Sequence, residues 1–454
     1  MLTMLPHLGS LLLTGPPIIS DTMVTTERAP WVITQIRDYN HPYATSKAEL
    51  DSKMAKMAES PYDFYRGTAH IFYQDMKTWP SSQWSTPKTG FTWLNGDAHL
   101  GNFDATRNSK GNVVFEIADF DEGHLGQYIW DLRRLAVSMV LVGRDNGLND
   151  ADIEKAIEIM VQAYLKKMSE FSKSNAEKHL ILDADNTSGV VAKTIKAADA
   201  KSRLQLLAKY TTLNGNKRIL LDLPNLVSVD ANTHSGVAAA MDSYRASIHP
   251  SKRYAADYYT IKDVRQKLRS GTSSLGKRRL YVLIEGPSTA TDDDVILEWK
   301  QESRSVVAIA APTQMPASIY HNHEGARVAR TAQAQLLHAD VLIGYTSIGD
   351  TQYYVHEKSP YQEDLASETL NTAGKMTTAA LYLGQALASA HTLANQDNDL
   401  SVVGYNIDKQ IHNTVSHKKQ LEKELRRFAF NYATQVMLDW QGFVTAYHAG
   451  TPLY

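Results

Sequence analysis

The sequence predicts an α+β protein in which a small β-rich unit separates two mainly helical regions. Three observations lead there. Apolar residues recur at helical spacing through 129–171 and again from Ala366 onward. Two runs rich in β-branched and aromatic residues, "RRLYVLIEG" (278–286) and "DVILEWKQE" (294–302), are joined by a polar, Asp-rich turn. A third run, "DVLIGYTSIGDTQYYVHEK" (340–358), predicts a hairpin turning at Gly349-Asp350. The expected divisions are 1–258 for an N-terminal arm and the first helical part, 259–357 for the β-rich unit, and 358–454 for the remaining helices.

Taken in order, "MLTMLPHLGSLLLTGPPIISD" has a short apolar run, no basic flank and a Pro16-Pro17 interruption. It reads as a surface arm or packing segment rather than a signal peptide or a span. Residues 45–80 read as helical, broken near Ser60-Pro61. Residues 91–95 and 113–118 read as short strands flanking a loop with an "NSKGN" turn. From Ile129, a helix presents Leu132, Leu135, Met139 and Val142 on one face. Asn149, with Asp152 three residues on, is an N-cap for a helix to about Phe171. The segment 172–258 is polar and weakly patterned, with a hairpin expected around "KRILLDLPNLVSVD". A helix is expected over 322–338, and Leu421, Leu425, Phe428, Tyr432 and Val436 mark another.

Composition narrows the function classes. A hydrophobic fraction of 43% and a charged fraction of 21% are those of a globular chain. The net charge of −2 argues against a dedicated nucleic-acid binder. The absence of cysteine excludes disulfides, thiolate metal sites and cysteine nucleophiles. No stretch reaches membrane-span length, so the expectation is a soluble, cytoplasmic protein without nucleic-acid or membrane partners.

Chemistry concentrates in "WLNGDAHLGNFD" (93–104) and "EIADFDEG" (116–123). An Asp, an Asn five residues later, and a strand ending in further acids suit one purpose, which is to hold a hydroxyl substrate and divalent cations around a triphosphate. "GDAHLGN…IADFDEG…WDLRRLA" resembles the GDxHxxN, Asp and DLA-type series of the kinase-like superfamily that includes aminoglycoside and choline phosphotransferases. More closely, "YDFYRG", "GDAHLGNF", "DFDEG" and "WDLRRLAVS" resemble a bacterial family of uncharacterised proteins, domain of unknown function 2252. The resemblance runs in patches from about Ser60 to Val436.

It implies a two-lobed kinase-like fold, with ATP and Mg2+ as cofactors and a hydroxyl-bearing acceptor, a small molecule or a protein. Asp97 resembles the catalytic Asp, Asn102 the metal-binding Asn and Asp119 the metal-binding Asp, while Asp121 stands where a glycine is common and is a candidate extra ligand or a plain loop acid. Asp131 resembles the structural acid of the DLA helix, and His99 a residue that holds the loop or joins the chemistry. Arg66 is a candidate phosphate contact or a structural ion pair, and His391 a packing residue.

Nothing before Gly96 resembles the ATP-cradling half. "LRSGTSSLGKRRLYVLIEG" offers Gly271, Ser273 and Gly276 before a strand, the composition of a phosphate-covering turn. Strand alternation places Val295, Leu297 and Trp299 on one face and Ile296, Glu298 and Lys300 on the other. A lysine at that strand end, followed by a helix and a hairpin, resembles the small-lobe order of the kinase-like superfamily, which implies that Lys300 contacts phosphate rather than standing as a solvated edge charge. Glu324 is its candidate helix partner, with Glu302 lying along the strand's continuation, and Arg327 has no derivable role. The lobes are therefore expected in circularly permuted order, the catalytic loop preceding the ATP unit.

Three other functions are compatible with these residues. Nucleotidyl transfer (AMPylation) uses nearly the same groups with ATP turned around. A non-catalytic nucleotide-binding module retains them without turnover. A metallophosphoesterase reading pairs "DAH" (97–99) with "HNHEG" (321–325), although over two hundred residues separate them.

Overall fold

The computed structural model describes residues 27–395 and 402–454. The apolar N-terminal run expected to form an arm lies outside them. The fold is mixed α+β with antiparallel sheets.

The first helical stretch breaks where the sequence expects it. Helix Lys47–Glu59 ends at Ser60, whose hydroxyl accepts the Asp63 N–H at 3.0 Å and so caps helix Pro61–Gly67. Pro61 occupies the first helical position, where its missing N–H costs nothing. Ala69–Thr78 continues the stretch. Helices Tyr128–Asp145 and Asp150–Phe171 follow, the second capped by Asn149 accepting the Asp152 N–H at 2.9 Å. These helices and Ala373–Thr392 and Lys418–His448 enclose the largest apolar cluster. Arg28, opening helix Arg28–Asn40, fastens it from outside: its guanidinium donates to Asp75 at 2.7 and 2.8 Å and to Asp439 at 2.7 and 3.1 Å.

The six-stranded sheet runs in the order Gly344–Ile348, Thr351–Glu357, Val295–Gln301, Arg279–Ile284, Ile261–Lys267, Leu226–Ser228. Its alternation follows the sequence. Val295, Leu297 and Trp299 pack in one cluster against helix Ala231–Ser247, while Ile296 belongs to a second cluster on the opposite face. Lys300 shares that opposite face, lying across from Arg279 and Tyr354. The hairpin at Gly349-Asp350 forms as expected.

Both short strands form where expected: Thr92–Leu94 pairs with His124–Gly126, and Val113–Ile117 with Phe103–Arg107 across the "NSKGN" turn. Two expectations change. The hairpin expected around 217–230 divides between two sheets. Lys217–Leu220 pairs back onto Thr211–Asn214, and Leu226–Ser228 joins the large sheet, with only a Leu223–Leu226 bridge between them. The helix expected over 322–338 spans Glu324–Gln335, capped by His323. Among the described residues, no helix is long and apolar enough to cross a membrane.

Helix Glu324–Gln335 lies against strand Thr351–Glu357 through Gly325, where a Cβ would collide with the Tyr353 carbonyl. Gly325→Ala is expected to lower stability by about 1–3 kcal/mol, the usual cost of overpacking, measured as a reduced urea midpoint.

Candidate functional site

Strand Thr92–Leu94 delivers the chain into "NGDAHLGN", and that loop is held from beneath. Asp131, in the first turn of helix Tyr128–Asp145, accepts the N–H of Asn95 at 2.8 Å and of Gly96 at 3.1 Å. His391 Nε2 lies 3.2 Å from the same carboxylate, and Tyr164 Oη lies 2.8 Å from its Nδ1. With Asp131 accepting, Nε2 carries the ring proton and Nδ1 receives the tyrosine's. His391 is thus a packing residue that orients the acid. Gly96 has φ +81°, and a Cβ there would strike the Glu122 carbonyl, so the loop and the acidic turn meet backbone to backbone. Asn95 stitches them further, its amide donating to the carbonyls of Ala118 and Asp119 at 3.0 and 3.1 Å.

Asp97 is buried, and Arg134 Nε donates to its Oδ1 at 2.5 Å. Arg134 is fully buried beneath the rings of Tyr65 and Phe72 and also donates to the Tyr65 carbonyl. Burial outweighs this ion pair and pushes the Asp97 carboxyl up to about 7, with Glu122 and Asp119 adding their negative charge. Asn102 donates its amide to the Asp97 carbonyl at 2.9 Å, which leaves Oδ1 as its acceptor end. His99 Nδ1 accepts the Gly101 N–H at 3.1 Å, while its Nε2 stays 3.9 Å from Asp97 Oδ2. Burial holds this imidazole well below its ordinary value, and therefore neutral. Its geometry is that of a loop holder.

Asp119 and Asp121 close the site from the next strand end. Asp119 takes a left-handed backbone, φ 55°, an uncommon state that aspartate tolerates better than most residues. Lys300 Nζ donates to Asp119 Oδ1 at 2.7 Å and to Asp121 Oδ1 at 2.5 Å, joining residues 181 and 179 positions apart. Against the pull of burial, Lys300 and Lys277 hold the Asp121 carboxyl below the usual range. The Asp119 side chain is 44% exposed, whereas those of Lys300 and Asp121 are buried.

The glycine turn sits beside this group but faces an unforeseen partner. Helix Lys47–Glu59 takes its carbonyls: Lys53 donates to Ser273 O at 2.9 Å and Lys56 to Gly271 O at 3.3 Å. Glu49 accepts the Arg269 N–H at 2.9 Å, and Gly276 packs on Leu50 and Tyr43. Lys53 is buried and also donates to Asn40 at 2.8 Å.

Glu324 does not reach Lys300. Its carboxylate accepts from Arg327 Nε at 2.5 Å, because a residue three positions on lies over the same helix face. Arg327, itself buried, donates to the carbonyls of Gly123 at 2.6 Å, Asp121 at 2.9 Å and Ser303 at 2.9 Å. It clamps the acidic turn to the end of the Lys300 strand. Glu302 is also buried, and neither carboxyl oxygen has a hydrogen-bond partner. Burial and the Asp121 charge push it well above the carboxylate range. Arg66 pairs with Asp63 at 3.6 Å, a local ion pair.

Among the described residues, no three His, Asp or Glu side chains are arranged to hold a metal by themselves. Asp119 and Asp121 share the Lys300 ammonium, and Asn102 is tied to the same turn by its backbone carbonyl, which accepts the Ala118 N–H at 2.8 Å. The histidine of the second esterase motif is engaged elsewhere: His323 Nδ1 accepts the Ala326 N–H at 3.1 Å and caps the helix, while its Nε2 lies 2.9 Å from Ser347 Oγ on strand Gly344–Ile348.

A family described as "Uncharacterized protein conserved in bacteria (DUF2252)" matches residues 46–446. The chain belongs to this family. No curated protein and no solved structure matches it. The DUF2252 match spans both acidic strand ends, Lys300, Arg327 and the helix that holds the glycine turn.

Arg134 and Lys53 were missed in the sequence as members of the site, while Arg327 was singled out there without a role. For Arg134 the signal was present, since "WDLRRL" puts a second arginine on an otherwise apolar helix. In this DUF2252 chain, Asp131→Ala would leave two buried N–H groups without an acceptor. At about 1–3 kcal/mol for each stranded group, a marked drop in the urea midpoint is expected.

Proposed function

We propose that this DUF2252 chain is an ATP- and Mg2+-dependent phosphotransferase, built on a two-lobed kinase-like fold with circularly permuted segments. One observation carries the proposal: the Lys300 ammonium meets Asp119 and Asp121, which lie 181 and 179 residues earlier in the chain. The order of elements supports it. A glycine turn, two antiparallel strands ending in Lys300, a helix and a hairpin follow one another in the β-rich unit.

In this reading Asp97 orients the acceptor hydroxyl and takes its proton as the oxygen bonds to the γ-phosphorus. The bond from that phosphorus to the bridging oxygen breaks, and ADP leaves. Lys300 contacts the α- and β-phosphates beneath the Gly271–Gly276 turn, whose fastening to helix Lys47–Glu59 keeps it ordered. Asn102, Asp119 and Asp121 would hold Mg2+, which supplies charge neutralisation for the triphosphate. Arg134 fixes the Asp97 carboxylate in place. The family match does not bear on activity, and nucleotidyl transfer by the same groups is distinguished by label position.

Purified protein with γ-labelled ATP and Mg2+ is expected to transfer label, whereas α-labelled ATP is not. Transfer from the α-position would assign nucleotidyl transfer, and nucleotide binding without turnover an inert module. Asp97→Asn is expected to cut turnover by about 10²–10⁴-fold while ATP affinity, read by calorimetry, stays near wild type. The base must be ionised, and burial raises its carboxyl to about 7. The rate is therefore expected to fall as pH drops through about 7, a midpoint that a pH–rate profile reads directly.

A further inference from the structure

A buried carboxyl group with no hydrogen-bond partner is costly, and Glu302 is such a group. It is not remote. The Glu302 N–H bonds to the Gln352 carbonyl at 2.9 Å, which carries the strand pairing one residue beyond Gln301. Two positions after Lys300, it therefore lies on the lysine's own face of the sheet. Arg327 holds the next residue through the Ser303 carbonyl. Lys300 meanwhile is engaged by Asp119 and Asp121, the two acids best placed to receive a cation.

We infer that Glu302 is a positioning residue for Lys300, taking over the ammonium when nucleotide and metal claim Asp119 and Asp121. The inference rests on the phosphotransferase reading above. The two acids cannot hold a divalent cation and an ammonium at once without crowding like charges together. When they turn to the metal, Lys300 loses its neutralising partners and needs another while it reaches the phosphates. Glu302 is the unpartnered carboxyl on its face of the sheet. This differs from a helix carboxylate acting on a strand lysine, because here Glu324 is committed to Arg327.

The test uses Glu302→Gln in the full chain, with Glu302→Met as a second variant. Since the buried Glu302 carboxyl has no hydrogen-bond partner in the free protein, either change is expected to leave the thermal midpoint of the free protein unchanged or higher. Calorimetry with Mg2+ and the non-hydrolysable analogue AMPPNP is expected to show affinity weakened about tenfold, the worth of one charge-assisted contact. Adenosine, which has no phosphate, is expected to bind both forms alike. Equal AMPPNP affinity in wild type and variants overturns the inference. So does a free variant that melts lower or fails to fold, or an equal loss for adenosine. A wild-type protein that binds no AMPPNP instead removes the phosphotransferase reading, and this inference with it.

Discussion

The structure depends on one ammonium group between two carboxylates. Asp119 and Asp121 lie two residues apart at a strand end, and one of them is buried. Without a cation between them their mutual repulsion and desolvation would oppose the packed state. Lys300 answers both, and it comes from the central region of the six-stranded sheet, whose register fixes where its Nζ sits. The sheet is thereby tied to the helical part through charge at the point where the chemistry is proposed. Arg327 repeats the connection one layer deeper, through backbone carbonyls rather than side chains.

The acidic loop is equally dependent on distant support. Asp131 and His391 form a fully buried pair under the loop backbone, contributed by helices on either side of the β-rich unit in sequence. Chain order is therefore a poor guide to spatial order in this protein. That is the physical content of the permuted arrangement proposed for it: the contacts specify which faces meet, and connectivity is free to vary so long as the joints lie at the surface.

How much of this was legible in the sequence varied with range. Helix starts were readable because their signals are local, as at Ser60-Pro61 and Asn149. The faces of the Lys300 strand were readable because alternation has a period of two. The acids of the loop and turn stood out as unusual residue types between apolar runs. The error around 217–230 came from following apolar runs rather than turn chemistry. Gly215-Asn216, a hairpin dipeptide, makes the actual turn between the paired Asn214 and Lys217. Strand Ile261–Lys267 escaped notice because its half-buried, charge-rich pattern resembles a solvated segment. Helix Lys47–Glu59 was legible as a helix, but its grip on the glycine turn was not. A lysine reveals neither its burial nor a carbonyl acceptor 220 residues away until the chain is folded. Likewise Glu324 was a reasonable partner for Lys300 until Arg327, one turn along, was seen to take it.

Arg28 joins Asp75 to Asp439, so helix Arg28–Asn40 has its resting place against a helix made more than 400 residues later. During synthesis this early segment leaves the ribosome with only the nearby half of its docking surface, that around Asp75 and Lys53. It waits for helix Lys418–His448 before its guanidinium can meet both acids. Such long loops make assembly slow, and at the 5–20 residues per second or so of translation they leave apolar faces uncovered for tens of seconds. The last-made helix therefore completes the seat of the first, whatever reaction the finished protein performs.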